Sequence, residues 1–238
     1  MFDVIIEPWK HFILRTVVPK HLVDKMIELT DDILSKSKKR VSASDHLVGE
    51  MEKEYYIGQN NEEIISNVDK DFIDFLNSKI DDYFDIQKER AVIAETTIVD
   101  GDYSIPKKFE NTKIPISYMQ MWFNEMTDGE YNPIHAHQGV ISAVFILKIP
   151  EYLPSRKKNV DGALFFVGKP LEGGIELGHR DIKILPLVGD LFIFPASLRH
   201  MVYPFRTPDG KGVRRSISFN VDIDFPVDRR VKKEEIEV

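Results

Sequence analysis

The chain has 238 residues, enough for one large or two small domains with a substantial core. Its 42% hydrophobic and 30% charged residues are the balance of a soluble globular protein and exclude disordered, collagen-like and membrane classes. A net charge of -7 argues against a general nucleic-acid binder, and the lack of cysteine excludes disulfides, thiolate nucleophiles and cysteine-ligated zinc.

In chain order, the opening "MFDVIIEPWKHFIL" is interrupted by Asp3, Glu7 and Pro8. No apolar run approaches the roughly 18 residues of a transmembrane helix, so a cytoplasmic protein without a membrane partner is expected. From Pro19, Leu22, Met26, Leu29 and Ile33 fall on one helical face. A second helix is predicted over 60–84, with Ile65, Val68, Phe72, Leu76 and Tyr83 as its stripe and Glu62 and Glu63 at its positive end. Residues 38–61 read as a polar loop between the two.

After residue 90 the pattern turns to short β-branched and aromatic runs: "AVIAETTIV", "IPISYMQMWF", "GVISAVFILKI", "GALFFVG", "IKILP", "GDLFIFP", "HMVYPF" and "RRSISFNVDI". Such a succession predicts an α+β, mainly β chain: a double-sheet barrel or jelly roll with helices packed on one outer face. One domain is expected, with helical support over 1–90, the β core over 91–225 and a charged tail over 226–238. Pro-Asp-Gly at 208–210 predicts a hairpin turn between the last two strands.

Chemistry gathers in three places. In "NPIHAHQG", His135 and His137 stand two residues apart on an extended segment, a spacing that points both imidazoles to one side. His200 follows "GDLFIFPASLR" at the start of another apolar run and could complete a three-histidine metal set across a barrel mouth. In "RRSISFNV", Arg214, Ser216, Ser218 and Asn220 alternate against Arg215, Ile217, Phe219 and Val221, so one face is polar and cationic. An inward Arg214 would need an anionic ligand as its partner. The bland alternatives are solvated arginines and histidines incidental to a loop.

His-x-His after an Asn-Pro turn, the strand "SAVFIL", then "GDLFIFPASLRH" and an Arg-x-Ser strand together resemble the iron(II) and 2-oxoglutarate-dependent oxygenases. The likeness is to the small prolyl-hydroxylase-like group common in marine bacteria and their phages, and it covers roughly residues 91–225. The resemblance implies a double-stranded β-helix, Fe(II), 2-oxoglutarate as cosubstrate and dioxygen. It implies His200 as the distal ligand and Arg214, with Ser216 beside it, as the carboxylate anchor, Arg215 facing outward. It also makes Tyr118, Gln120 and Asn124 on "SYMQMWFNEM" candidate hydrogen-bonding groups to cosubstrate or substrate, although Trp122 on the same strand could equally pack under a helix. The chain departs from the family pattern at position 137, where histidine stands in place of the usual carboxylate; Asp161 is a substitute carboxylate to test.

The implied reaction decarboxylates 2-oxoglutarate to succinate while hydroxylating a C–H bond of a protein, with a peptidyl proline leading, or of a small molecule. The polar loops at 100–113 and 151–162 are candidate recognition segments, carrying Lys107, Lys108, Arg156, Lys157 and Lys158. Two rivals remain open: a cupin-like three-histidine dioxygenase that uses no 2-oxoglutarate, and a non-catalytic jelly-roll binding module.

Overall fold

A computed structural model describes residues 4–6, 12–36, 41–44, 51–94, 113–153, 160–168 and 181–224. Residues 100–112 of the first candidate recognition loop and 154–159 of the second lie outside these residues, and with them Lys107, Lys108, Arg156, Lys157 and Lys158, as does the charged tail. The described strands are β1 (Val4–Ile6), β2 (Ile13–Val17), β3 (Glu54–Gly58), β4 (Ile116–Met126), β5 (Asn132–His135), β6 (Ile141–Lys148), β7 (Leu164–Phe166), β8 (Ile182–Ile184), β9 (Asp190–Pro195), β10 (His200–Val202) and β11 (Arg214–Ile223). Three helices accompany them: α1 (Lys20–Ser35), α2 (Asn61–Asn67) and α3 (Lys70–Ala94).

The strands form two antiparallel sheets. The larger runs β1-β2-β9-β6-β11-β4-β3 and the smaller β5-β10-β7-β8. β4, β6, β9 and β11 alternate in chain order with β5, β7, β8 and β10 between the sheets, which is the double-stranded β-helix expected from the sequence. One apolar core, with Val144, Ile146, Leu164, Phe166, Phe192 and Phe194, lies between the sheets. A second, with Met26, Phe72, Leu76, Phe145 and Phe219, lies between the larger sheet and the helices. Strands covered on both faces need apolar residues on both, which is why β6 and β9 read as unbroken hydrophobic runs rather than alternating ones.

Several sequence expectations change. The predicted helix over 60–84 is two helices: Val68 leaves helical geometry with φ -102° and ψ 141°, and Asp69 accepts from the backbone N–H of Asp71 at 3.0 Å to open α3. Ile65, expected on the buried stripe, is exposed. The expected polar loop at 38–61 contains β3, and β1 and β2 add two more N-terminal strands to the larger sheet. The "AVIAETTIV" run begins as the end of α3 through Ala94, and its remainder lies outside the described residues. Pro208-Asp209-Gly210 does turn, with Gly210 at φ +66°, but it joins no hairpin, because β10 and β11 belong to different sheets.

Arg215 faces the helices, as expected from the alternation, yet it is buried rather than solvated. Its Nε donates to Glu125 Oε2 at 2.9 Å, its Nη2 pairs with the same oxygen, and its Nη1 donates to Thr30 Oγ1 at 2.9 Å and Asp31 Oδ1 at 2.5 Å. Burial pushes the Glu125 carboxyl up, but Arg215 and Lys53 together hold it below its ordinary range. This network ties α1 to the back of β4 and β11.

Candidate metal centre and anion pocket

The cavity between the sheets is lined by Trp122, Asn124, Asn132, His135, His137, Val144, His200, Val202, Ser216 and Ser218. His135 ends β5 and His200 begins β10, and the two are cross-strand partners in the smaller sheet. Their rings sit 4.3 Å apart between centroids. His137 lies just beyond β5, its ring 4.8 Å from that of His135 and 5.2 Å from that of His200. Its backbone N–H donates to Ala196 O at 2.9 Å, and the following turn is clamped at Gly139, where φ is +91° and an added Cβ would meet Val221 O at 2.8 Å. The turn's close approach to β11 fixes where His137 points.

One ring nitrogen from each histidine lies within 4.8 Å of the others, and this is the metal-ligating cluster among the described residues. His135 Nδ1 is 2.7 Å from Pro133 O and His200 Nδ1 is 3.0 Å from Leu198 O. A carbonyl oxygen only accepts, so each Nδ1 carries the hydrogen and each Nε2 presents its lone pair. Burial pushes all three imidazoles down, His137 to about 3 with His135 adding to the effect. The set is therefore neutral and electron-donating at neutral pH, which suits a first-row divalent metal. Asp161 lies outside this cluster, in the turn before β7, where its charge bears on Tyr152.

Arg214, at the start of β11, is 0% exposed. Its Nη1 donates to Ser216 Oγ at 3.2 Å and lies 3.7 Å from Met126 Sδ, while Nε and Nη2 have no partner of hydrogen-bonding geometry among the described residues. Burial pushes the guanidinium down, with the neighbouring Tyr152 hydroxyl acting against it. That hydroxyl is also buried and unpartnered, as is Asn132 Oδ1. Ser216 Oγ donates in turn to Asn124 Oδ1 at 2.9 Å, and since both side chains line the cavity, Arg214 is tied to that lining through Ser216. A buried cation with two free donors costs several kcal/mol unless an anion completes it.

Of the candidates on β4, Asn124 lines the cavity. Gln120 shares its strand face with Trp122 and Asn124 but stands outside the lining. Tyr118 is a correction: it is turned to the helices, its hydroxyl donating to Asn77 Oδ1 on α3 at 2.9 Å and its ring packing against Phe219. The cause is a bulge at Met119, since β11 pairs Asn220 with Gln120 but Val221 with Tyr118, and the extra residue reverses the alternation. Trp122 packs against His137 at 5.5 Å between rings, on the cavity side rather than under a helix. Tyr152 and Asn132 were not singled out from the sequence. Asn132 stands three residues from His135, an odd spacing that a regular strand puts on the opposite face, and it reaches the cavity through the register shift between His200 and Val202; nothing in "EYLP" marks Tyr152.

Residues 120–220 match the family described as putative 2OG-Fe(II) oxygenase. No curated protein matches the chain. Among solved structures, the chain is similar to a Pseudomonas putida prolyl-4-hydroxylase, at 15% identity and TM-score 0.45, covering 89% of this chain and 93% of that one. It is also similar to a Trichoplax adhaerens prolyl hydroxylase in complex with a hypoxia inducible factor peptide fragment, at 14% identity and TM-score 0.47, covering 87% and 80%. A Burkholderia pseudomallei oxidoreductase of the 2OG-Fe(II) oxygenase family is matched at 14% identity and TM-score 0.35 over 47% of each chain, so this chain spans about half that protein's length. The matched segment runs from β4 to β11 and holds the three histidines, Arg214 and Ser216.

Proposed function

We propose that the chain is an Fe(II)- and 2-oxoglutarate-dependent dioxygenase that hydroxylates a C–H bond, with His135, His137 and His200 as metal ligands and Arg214 as the cosubstrate anchor. The observation that carries this reading is Arg214: a fully buried guanidinium with two free donors among the described residues, bonded to Ser216, which lines the same cavity as the three histidines. The bound metal, with 2-oxoglutarate and dioxygen, supplies the oxidising chemistry.

The chain's own residues bind and orient. Arg214 Nε and Nη2 offer the two parallel donors that a carboxylate takes, with the Tyr152 hydroxyl as a third. Ser216 and Asn124 hold the guanidinium's other edge and leave it one preferred direction. The carbonyls of Pro133 and Leu198 keep His135 and His200 in the tautomer that ligates. Val144, Val202 and Trp122 line the walls and exclude water.

A protein substrate, with a peptidyl proline first among candidates, is the reading that follows from the resemblance; small molecules are the second. The cupin-like alternative is disfavoured by Arg214, because a chemistry without 2-oxoglutarate gives that cation no partner. The test is anaerobic titration of the ferrous-loaded protein with 2-oxoglutarate, following the visible charge-transfer band of chelation. We expect a band in the wild type that is lost in His137→Ala and shifted to far higher 2-oxoglutarate in Arg214→Ala. Bound iron with no band would sink the 2-oxoglutarate reading, and no bound metal would leave a binding module.

A further inference from the structure

Glu54 stands on the inner face of β3, cross-strand from Asn124, which is itself cross-strand from Ser216. The row Glu54-Asn124-Ser216 therefore runs across three neighbouring strands of the larger sheet, Asn124 and Ser216 lining the cavity, with adjacent strands about 5 Å apart and its ends roughly 10 Å apart. The carboxyl is 0% exposed, and neither of its oxygens has a hydrogen-bond partner. The carboxylate that bears on it, Glu130, follows β4 and accepts from the N–H groups of Glu52 and Thr127 and from the Thr127 hydroxyl.

Among the described residues, the other titratable group that bears on Glu54 is Tyr56 on its own strand. Lys53, Glu125, Arg215 and Asp31 are occupied with one another on the far side of the sheet. Nothing donates to Glu54, and one fixed negative charge opposes its ionisation.

We propose that Glu54 is the proton-holding residue of the cosubstrate pocket: it takes up a proton from solvent when 2-oxoglutarate brings two negative charges against the same sheet. Cosubstrate binding then weakens as the Glu54 carboxyl ionises. Two like charges roughly 10 Å apart in a protein interior repel enough to change an affinity about tenfold. Burial, with Glu130 close by, pushes Glu54 up to about 7, so its proton exchanges near neutral pH. The inference rests on the reading of Arg214 as the 2-oxoglutarate anchor.

The experiment is anaerobic calorimetric titration of ferrous-loaded protein with 2-oxoglutarate from about pH 6 to 9. It is run in buffers of different ionisation enthalpy, for wild type and Glu54→Gln. We expect the wild type to take up a fraction of a proton on binding and to lose about tenfold in affinity across the range, and Glu54→Gln to bind with a flatter profile and less uptake. Should Glu54→Gln not fold, Glu54→Met fills a similar volume without a proton and carries the same expectation. Equal uptake and equal slope in both proteins, or no uptake in the wild type, overturns the role of Glu54 alone. No binding by the wild type at any pH overturns the cosubstrate reading as well.

Discussion

Two arginines side by side in sequence have opposite fates, and the difference can be measured. Arg214 is buried without a counter-charge among the described residues, so the free protein bears its desolvation, which an anionic ligand would relieve. Replacing Arg214 with Met should raise the unfolding free energy of the free protein by about 1–3 kcal/mol while weakening 2-oxoglutarate roughly 100-fold or more. Denaturant unfolding and the anaerobic titration check the two halves. Glu54 gives a second residue-scale expectation. A carboxyl that ionises near 7 when folded and near 4.5 when unfolded binds more protons in the folded state between those values. Its contribution is therefore full at pH below about 4.5 and is lost as pH rises through 7. The stability gap between Glu54→Gln and wild type should shift in favour of the variant by up to about 3 kcal/mol from pH 4.5 to 8, read from denaturant midpoints. The histidines and Arg214 were legible in the sequence because a strand's period of two states which residues share a face. Tyr118 was misread because the bulge at Met119 leaves no mark on that period. Glu54 was invisible because β3 was read as loop.

At the scale of elements, the Arg215 network does mechanical work at a distance from the cavity. It joins Thr30 and Asp31 of α1 to Glu125 of β4, and Arg215→Ala would leave a buried carboxylate with only Lys53. The loss should be about 3 kcal/mol in unfolding free energy, with 2-oxoglutarate affinity in the folded protein unchanged. If Arg215→Ala instead abolished cosubstrate binding while Arg214→Ala spared it, the assignment of the strand's two faces would be reversed. The amphipathic α1 and the long strands β4, β6, β9 and β11 were readable because each carries its own pattern. The break between α2 and α3 and the short N-terminal strands were not. Val68 and Asp69 fit a helical stripe equally well, and β2 owes its strand state to pairing with β9, about 175 residues away.

For the whole molecule, the two sheets divide the labour. His135 and His200 belong to the smaller sheet, while Arg214, Ser216 and Asn124 belong to the larger. A metal bound only by the folded arrangement stabilises it by mass action, by about 2.7 kcal/mol at a hundredfold excess over Kd. Thermal unfolding should therefore rise by several degrees with ferrous iron under anaerobic conditions, and His200→Ala should abolish the rise. The two-sheet architecture was legible in the succession of short strands, but the sheet order and which strand ends meet at the cavity were not, since those depend on pairing and register rather than composition.

The smaller sheet is made of strands of only three or four residues, and its edge is β5 itself. So few backbone bonds make it the first part of the barrel to open, well before the eleven- and ten-residue pair β4 and β11. Amide hydrogen exchange should accordingly be fast over β5 and β10 in the free protein and slow sharply once metal and 2-oxoglutarate span both sheets. The ligands would then act as the final staple of the fold, and a chain starved of iron would present the same short strands to proteases first.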